Sequence, residues 1–302
     1  MLLKLESDTK HDLSIAFMLT FRCNYDCSYC ESHDVNHPLN NKPAKSISDA
    51  LNYVTSFYQN KSIIINILGG EPFLYKNIFN MFNNLEERID IKVTTNLSFT
   101  LDFIKKTFNN TKINIKASYH PEYADPYEFV KKVKYLQQNN FNITSNISMH
   151  PNKSHFEKAI YILENLPRSK PHILSNMSVN GLIFGDSFSY SPSQIKTIKK
   201  YSGSLKKYIK CTYPDSIKYV THQDLISKNL DNFKGMKCYA GHENLHIKEN
   251  GDIFPAACFL NTKTSLGNMY KRTFRVPKSY VSCPFTSCKC VTDLNITKEV
   301  QK

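Results

Sequence analysis

The sequence predicts an α/β protein built on a parallel sheet, followed by a small cysteine-rich unit. Two observations carry the first half of that reading. Short β-branched apolar runs alternate with helix-periodic segments over about 165 residues. Polar clusters follow the strand ends, the edge on which α/β proteins build their sites. The cysteines carry the second half. Of nine, three fall within residues 23–30 and five between 238 and 290, with Cys211 alone between the groups.

The elements follow in order. Ile15 to Phe21 is an apolar run that reads as a buried strand and leads into Phe21-Arg22-Cys23-Asn24-Tyr25-Asp26-Cys27-Ser28-Tyr29-Cys30. This C-x3-C-x2-C spacing puts three thiols on one short loop, where they can converge on one metal centre. Soft sulfur donors favour iron–sulfur clusters, zinc or copper(I). A structural zinc knuckle, or three unrelated buried thiols, would use the same residues.

Residues 31–46, with Pro38 and Pro43, read as an extended loop. Ser46 or Ser48 is placed to cap a helix to about Tyr58, with Ile47, Leu51 and Val54 on one face. Residues 62–68 are mostly apolar and β-branched, as in a strand buried on both faces, and end in Gly69-Gly70-Glu71-Pro72. A helix at about 77–88, a strand at 91–96 and a helix at about 101–108 come next. A strand at 113–118 precedes Tyr119-His120-Pro121-Glu122. A helix over 126–138 puts Phe129, Val133 and Leu136 on one face; a strand at 142–149, a helix at 154–166 and a last strand at 173–179 complete the series. Six strand-plus-helix units result, fewer than the eight of a closed barrel. The count by itself leaves a doubly wound sheet open.

Beyond about residue 181 the alternation weakens, with a helix at 193–208 and a connector at 211–232. Short β-like runs at 245–248 and 252–254 flank Glu249-Asn250-Gly251, a hairpin signal. The division is then 1–185 for the core, 186–236 for a helical connector, and 237–302 for the cysteine-rich unit with its polar tail.

Composition narrows the class. The chain has 302 residues, 41% hydrophobic, with a formal charge of +13. No apolar run approaches the ~20 residues of a membrane span. The first twenty residues carry charges throughout and lack a signal-peptide core. A cytoplasmic protein is expected, its cysteines metal-binding or catalytic rather than paired. The lysines are scattered and form no nucleic-acid motif, so the basic balance points at most to an anionic substrate.

Several other positions carry chemistry. Gly69 and Gly70 let the backbone approach a ligand closely, and Glu71 beside them can accept hydrogen bonds from an ammonium group. Thr94, Thr95 and Asn96 end one strand and Ser118 the next; they are equally caps or turn residues. His120 is the candidate catalytic residue, because an imidazole with pKa near 6.5 orients substrate or exchanges protons. Preceding a proline, it also reads as a turn residue. Cys211 behaves as a small hydrophobe.

The cysteine loop and the Gly69-Gly70-Glu71 turn together resemble the radical S-adenosylmethionine (SAM) enzymes. The resemblance implies a partial (β/α)6 TIM-like barrel. It implies that Cys23, Cys27 and Cys30 hold a [4Fe–4S] cluster whose open iron chelates the amino and carboxylate groups of SAM. Tyr29 would lie beside the adenine, Gly69, Gly70 and Glu71 at the amino group, and Thr95, Asn96 and Ser118 at the ribose or carboxylate. Leu97 departs from the glycine that often follows Thr-Asn in this family.

Near the C-terminus, Cys238, the hairpin, Cys258, Ser265-Leu266-Gly267-Asn268 and Cys283-x4-Cys288-x-Cys290 resemble the SPASM or Twitch extension. Ala256 stands where that family usually puts a cysteine, and the later spacing differs. The resemblance implies one auxiliary [4Fe–4S] cluster on Cys238, Cys258, Cys283 and either Cys288 or Cys290, with structural zinc as the alternative.

The expected activity is reductive cleavage of SAM to a 5′-deoxyadenosyl radical, followed by hydrogen abstraction from a small or carrier-bound substrate. A sugar, nucleotide or natural-product intermediate is expected, with the auxiliary cluster accepting an electron in a net oxidation, binding substrate, or only bracing the fold. A reducing donor such as flavodoxin or ferredoxin is expected. With 22 residues before Cys23, a leader-binding domain is not expected there. The alternatives are a peptide-modifying maturase and, from a different class, a non-catalytic zinc or iron–sulfur protein.

Overall fold

The computed structural model describes the chain except residues 1, 8–10, 31–33, 109–112, 168, 175–176, 180–181, 185–187, 203–207, 289 and 302. Strand β1 (Lys4–Ser7) leads to β2 (Leu13–Thr20), which is apolar at nearly every position and buried on both faces. Helix α1 (Ala44–Thr55) buries Ile47, Leu51 and Val54. Its N-cap is Pro43 rather than Ser46 or Ser48: no side chain caps the first turn, and the Pro43 carbonyl accepts the Ile47 N–H at 3.2 Å. The Ser48 hydroxyl instead donates to the Ala44 carbonyl at 3.0 Å.

The alternation then runs through β3 (Ile63–Gly69), α2 (Ile78–Asn83), β4 (Ile89–Thr95), α3 (Leu101–Thr107), β5 (Ile113–Tyr119), α4 (Pro126–Gln138), β6 (Asn142–Met149), α5 (Lys153–Asn165) and β7 (Lys170–Ile173). Helix α2 stops short of the expected residue 88, where Asn83 and Asn84 are poor helix formers. Helix α4 starts at Asp125, whose carboxylate accepts the Tyr127 and Glu128 N–H groups at 2.9 Å each.

The last parallel strand lies earlier than 173–179. Pro171 argues against a strand in the sequence, yet β7 is the sheet edge, where a missing N–H is tolerated. Met177–Val179 forms β8, paired antiparallel with β9 (Leu182–Phe184); residues 175–176 of the expected strand lie outside the described residues.

Strands β2 to β7 pair in sequential order, every pair parallel. Each strand beside its successor is the winding of a (β/α) barrel, whereas a doubly wound sheet reverses at a switch point. The six-unit partial barrel is therefore the architecture, and among the described residues the sheet does not close.

Beyond it come α6 (Pro192–Tyr201), the hairpin of β10 (Tyr208–Thr212) and β11 (Ile217–Thr221), and α7 (His222–Ser227). A β-hairpin thus occupies the segment read as a helical connector. Its outer strand exposes Ile217, Lys218 and Tyr219 and shows no burial alternation to betray it. Strands β12 (Lys237–Cys238), β13 (Asn244–Ile247), β14 (Ile253–Phe254) and β15 (Val281–Ser282), helix α8 (Val291–Leu294) and β16 (Lys298–Glu299) complete the chain.

The two sheets exchange strands. The hairpin β13/β14, expected within the cysteine-rich unit, extends the barrel sheet, with β13 parallel to β2 from Asn244 opposite Ser14 to Ile247 opposite Phe17. Conversely, β1 lies between β10 and β16 in a second, antiparallel sheet ordered β11-β10-β1-β16-β12-β15. Its core gathers Leu5, Ile209, Cys211, Phe233, Leu294 and Ile296. The buried Tyr58 hydroxyl donates to the Gly241 carbonyl at 2.7 Å and ties the two parts together.

Candidate active site and second cysteine site

Residues 21–30 leave β2 at the carboxyl edge of the parallel sheet. Two backbone bonds anchor the start of the loop: Gly70 N–H to the Thr20 carbonyl at 2.8 Å and Glu71 N–H to the Arg22 carbonyl at 2.9 Å. This contact explains both glycines. A Cβ on Gly69, whose φ is +146°, would lie 2.1 Å from the Thr20 oxygen, and one on Gly70 would lie 2.3 Å from the Arg22 oxygen. The close approach the glycines permit is made to the cysteine loop itself.

Beneath the turn, Glu71 is fully buried. Its carboxylate accepts the Phe73 N–H at 3.0 Å, the Asn96 N–H at 2.7 Å and the Thr95 hydroxyl at 3.0 and 3.1 Å. Burial outweighs these bonds and pushes its pKa up to about 7. Glu71 and Thr95 thereby clamp the end of β3 to the end of β4. The Asn96 side-chain amide donates to the Asn24 side-chain oxygen at 3.0 Å and stands 3.9 Å from the Cys23 sulfur. Leu97, the departure from the family pattern, has φ +52° and a buried side chain. It keeps the left-handed backbone that glycine would favour.

Cys23 and Cys27 are buried and Cys30 half-buried. Burial raises the Cys23 thiol pKa and pushes that of Cys27 up to about 12. Such thiols deprotonate only beside compensating positive charge. Three soft donors on one loop, in a setting that demands a cation, fit an iron–sulfur cluster.

The other wall of the mouth comes from β5 and β6. The Tyr29 hydroxyl lies 3.1 Å from Nδ1 of His120, and their rings stack with centroids 6.0 Å apart. Ser118 is half-buried at the end of β5. Glu122 accepts the Ser28 N–H at 2.8 Å and so pins the cysteine loop to the β5 loop.

His150, which the sequence reading did not single out, also belongs here. Its ring lies 6.0 Å from Tyr29 and 5.3 Å from Phe188, and its Nε2 lies 3.5 Å from a Glu122 oxygen. Nδ1 accepts the Asn152 N–H at 3.1 Å, so the neutral ring carries its proton on Nε2, facing Glu122. Burial lowers the pKa of His150, and Glu122 opposes that shift. A signal was available: β5 and β6 both run directly into His-Pro, at residues 120–121 and 150–151.

The second cysteine site is a small cavity between β12, the loop after β15, and α8. Cys238, Cys258, Cys283 and Cys288 line it, with Phe259, Phe285 and Lys298 among the other walls. Cys290 does not line the cavity; it caps α8, its carbonyl accepting the Leu294 N–H at 2.9 Å. Asp293 and Asp231 brace the cysteine backbone. Asp293 accepts the Ala257 and Cys258 N–H groups at 3.2 and 2.8 Å, while Asp231 accepts the Ser287 hydroxyl at 2.7 Å and the Cys288 N–H at 3.3 Å. Burial raises the Cys238 and Cys258 thiols and pushes Cys288 up to about 12. Four soft donors around one cavity fit a fully ligated cluster.

Among the described residues, no three His, Cys, Asp or Glu side chains are drawn together as for a single metal ion. No helix among them is long and apolar enough to cross a membrane.

Residues 17–161 match the family model described as the Radical SAM superfamily. Comparison with curated proteins finds no match. Among solved structures, Streptococcus suis SuiB bound to precursor peptide SuiA superposes with a TM-score of 0.57 at 18% identity, over 86% of this chain and 62% of that one. SuiB bound to S-adenosylmethionine gives 0.56 at 19% identity, over 86% and 63%. Native anSMEcpe with bound AdoMet and Cp18Cys peptide gives 0.55 at 12% identity, over 86% and 79%. At these identities the likeness is one of fold, and the chain spans less than two thirds of the length of SuiB.

Proposed function

Because residues 17–161 match the radical SAM superfamily model, we propose that this enzyme cleaves S-adenosylmethionine reductively at a cluster held by Cys23, Cys27 and Cys30. The resulting radical would act on a substrate bound at the mouth of the partial barrel. The carrying observation is the junction of the C-x3-C-x2-C loop with the Gly69-Gly70-Glu71 turn through the Thr20 and Arg22 carbonyls. When bound, the [4Fe–4S] group supplies the electron that breaks the sulfonium bond, giving the 5′-deoxyadenosyl radical that abstracts hydrogen.

The chain's own residues divide the remaining work. Tyr29 offers the adenine a ring face. Glu71, its carboxylate committed to Phe73, Thr95 and Asn96, is a positioning residue that fixes the rim on which Gly69, Gly70, Asn96 and Ser118 meet SAM. His120 and His150 wall the mouth, exclude water and present ring nitrogens for proton exchange. At the second site Cys238, Cys258, Cys283 and Cys288 hold an auxiliary [4Fe–4S] cluster as electron acceptor, and flavodoxin or ferredoxin serves as donor to the first.

Two substrate classes are carried. One is a small or carrier-bound molecule. The superposition with SuiB and anSMEcpe, both seen with peptides, favours a peptide side chain.

Anaerobic reconstitution with iron and sulfide, then dithionite and SAM, tests the reading. The expected product is 5′-deoxyadenosine, lost in Cys27→Ala; none from a fully reconstituted wild type would overturn it. Iron should be about eight per chain, falling to about four when Cys238 and Cys258 are replaced.

A further inference from the structure

Among the described residues, Lys298 is the one lysine on the wall of the second cysteine cavity, and it is 1% exposed. Strand β16 sets Lys298 directly opposite Cys238 on β12, so their side chains are cross-strand neighbours. Its Nζ donates to the Asp293 carbonyl at 2.6 Å and the Ile296 carbonyl at 2.8 Å, and lies 5.2 Å from the Phe233 ring centroid. These partners are neutral. The nearby carboxylates of Asp293 and Asp231 bond instead to backbone N–H groups and a serine hydroxyl. A buried ammonium costs several kcal/mol, and two carbonyls do not repay it. The one carboxylate on the cavity wall, Asp293, is committed to the Ala257 and Cys258 N–H groups, and neither hydrogen bond from Lys298 goes to a carboxylate.

A cluster held by four thiolates supplies an anion, since the thiolates bring more negative charge than the iron–sulfur core cancels. Each added electron makes it one unit more negative. We propose that Lys298 is the internal counter-cation of the auxiliary cluster and stabilises its one-electron-reduced form, making the cluster a better electron acceptor. The inference rests on the reading of Cys238, Cys258, Cys283 and Cys288 as cluster ligands.

The test uses the full chain carrying Cys23→Ala, Cys27→Ala and Cys30→Ala, so that only the second site loads. Lys298, Lys298→Gln and Lys298→Arg forms are reconstituted anaerobically, assayed for iron, and titrated with dithionite under electron paramagnetic resonance. Glutamine keeps N–H donors for the two carbonyls without the charge. With about four irons bound, its reduced-to-oxidised ratio at a fixed ambient potential should fall at least tenfold, ~59 mV for one electron. Arginine should stay within about threefold of lysine.

An unchanged ratio in an iron-loaded Lys298→Gln form overturns the proposal. Should glutamine fail to hold iron while arginine holds it, a cation is required there and the proposal stands. Loss of iron in both would make the position steric and overturn it. No iron even with Lys298 present would remove the cluster reading and the inference with it, while leaving the first site untouched.

Discussion

The Tyr29 and His120 rings lie within 9° of parallel, closing the cysteine loop against the end of β5. An adenine seated on Tyr29 must either replace His120 or use the ring's other face. Stacking of a base on an aromatic ring is worth about 1–3 kcal/mol, so Tyr29→Ala should weaken SAM binding roughly 5- to 150-fold. Tyr29→Phe keeps the face, loses the bond to His120, and should bind within about threefold of wild type. Equilibrium binding of SAM to the reconstituted forms decides it; equal loss in both variants would remove the stacking role.

Glu71 makes the stability of the cluster-free protein depend on pH. Its folded pKa of about 7 lies above the ordinary carboxyl value of 4.5. Between those values the folded chain holds a proton that the unfolded chain has lost, so this contribution is full below pH 4.5 and lost as pH rises through 7. The loss amounts to about 3 kcal/mol. Glu71→Gln removes the titration, though its amide opposes the Asn96 N–H. The difference in unfolding free energy between wild type and variant, measured by denaturant at pH 5 and pH 8, should therefore change by about 2.5 kcal/mol. A pH-independent difference would show that Glu71 stays ionised.

The glycine turn should tolerate no side chain. An added methyl at residue 69 or 70 meets a backbone oxygen at 2.1 or 2.3 Å, and main chain cannot rotate away as a side chain can. Gly69→Ala and Gly70→Ala should therefore lose the first cluster and keep the second, leaving about four irons of eight. Gly235→Ala, with nothing within 4 Å of the added carbon and only the strain of its φ of +83° to bear, should keep the first cluster. Full iron in Gly70→Ala would contradict the packing argument.

Cys288 and Cys290 should separate cleanly. In the background lacking the first three cysteines, Cys288→Ala should lose the second site's iron, whereas Cys290→Ala should retain it. The reverse result would move the fourth ligand to the helix cap.

What could be read from the chain was what is local. Helix α4 and strand β6 begin and end at the residues their periodicity marks, and the Gly69-Gly70-Glu71 turn sits at the strand end where its apolar run stops. Pairings across hundreds of residues leave no such trace. Nothing in Lys4–Ser7 says that it lies beside residues 298 and 299, and nothing in Asn244–Ile247 says that it joins β2. Cys288 was separable from Cys290 only once α8 showed which of them caps a helix. His150 is legible only through repetition, the same His-Pro pair following β5 and β6.

Strand β1 has a consequence for biogenesis. Its neighbours in the second sheet, β10 and β16, are synthesised roughly 10–40 s and 15–60 s after it at ordinary elongation speeds. The described side chains that wall the first site, from Cys23 to Phe188, are made earlier, although β13, which flanks β2, is not. The second cysteine site, walled in part by Lys298 on β16, can therefore be completed only after the residues of the first site have been made.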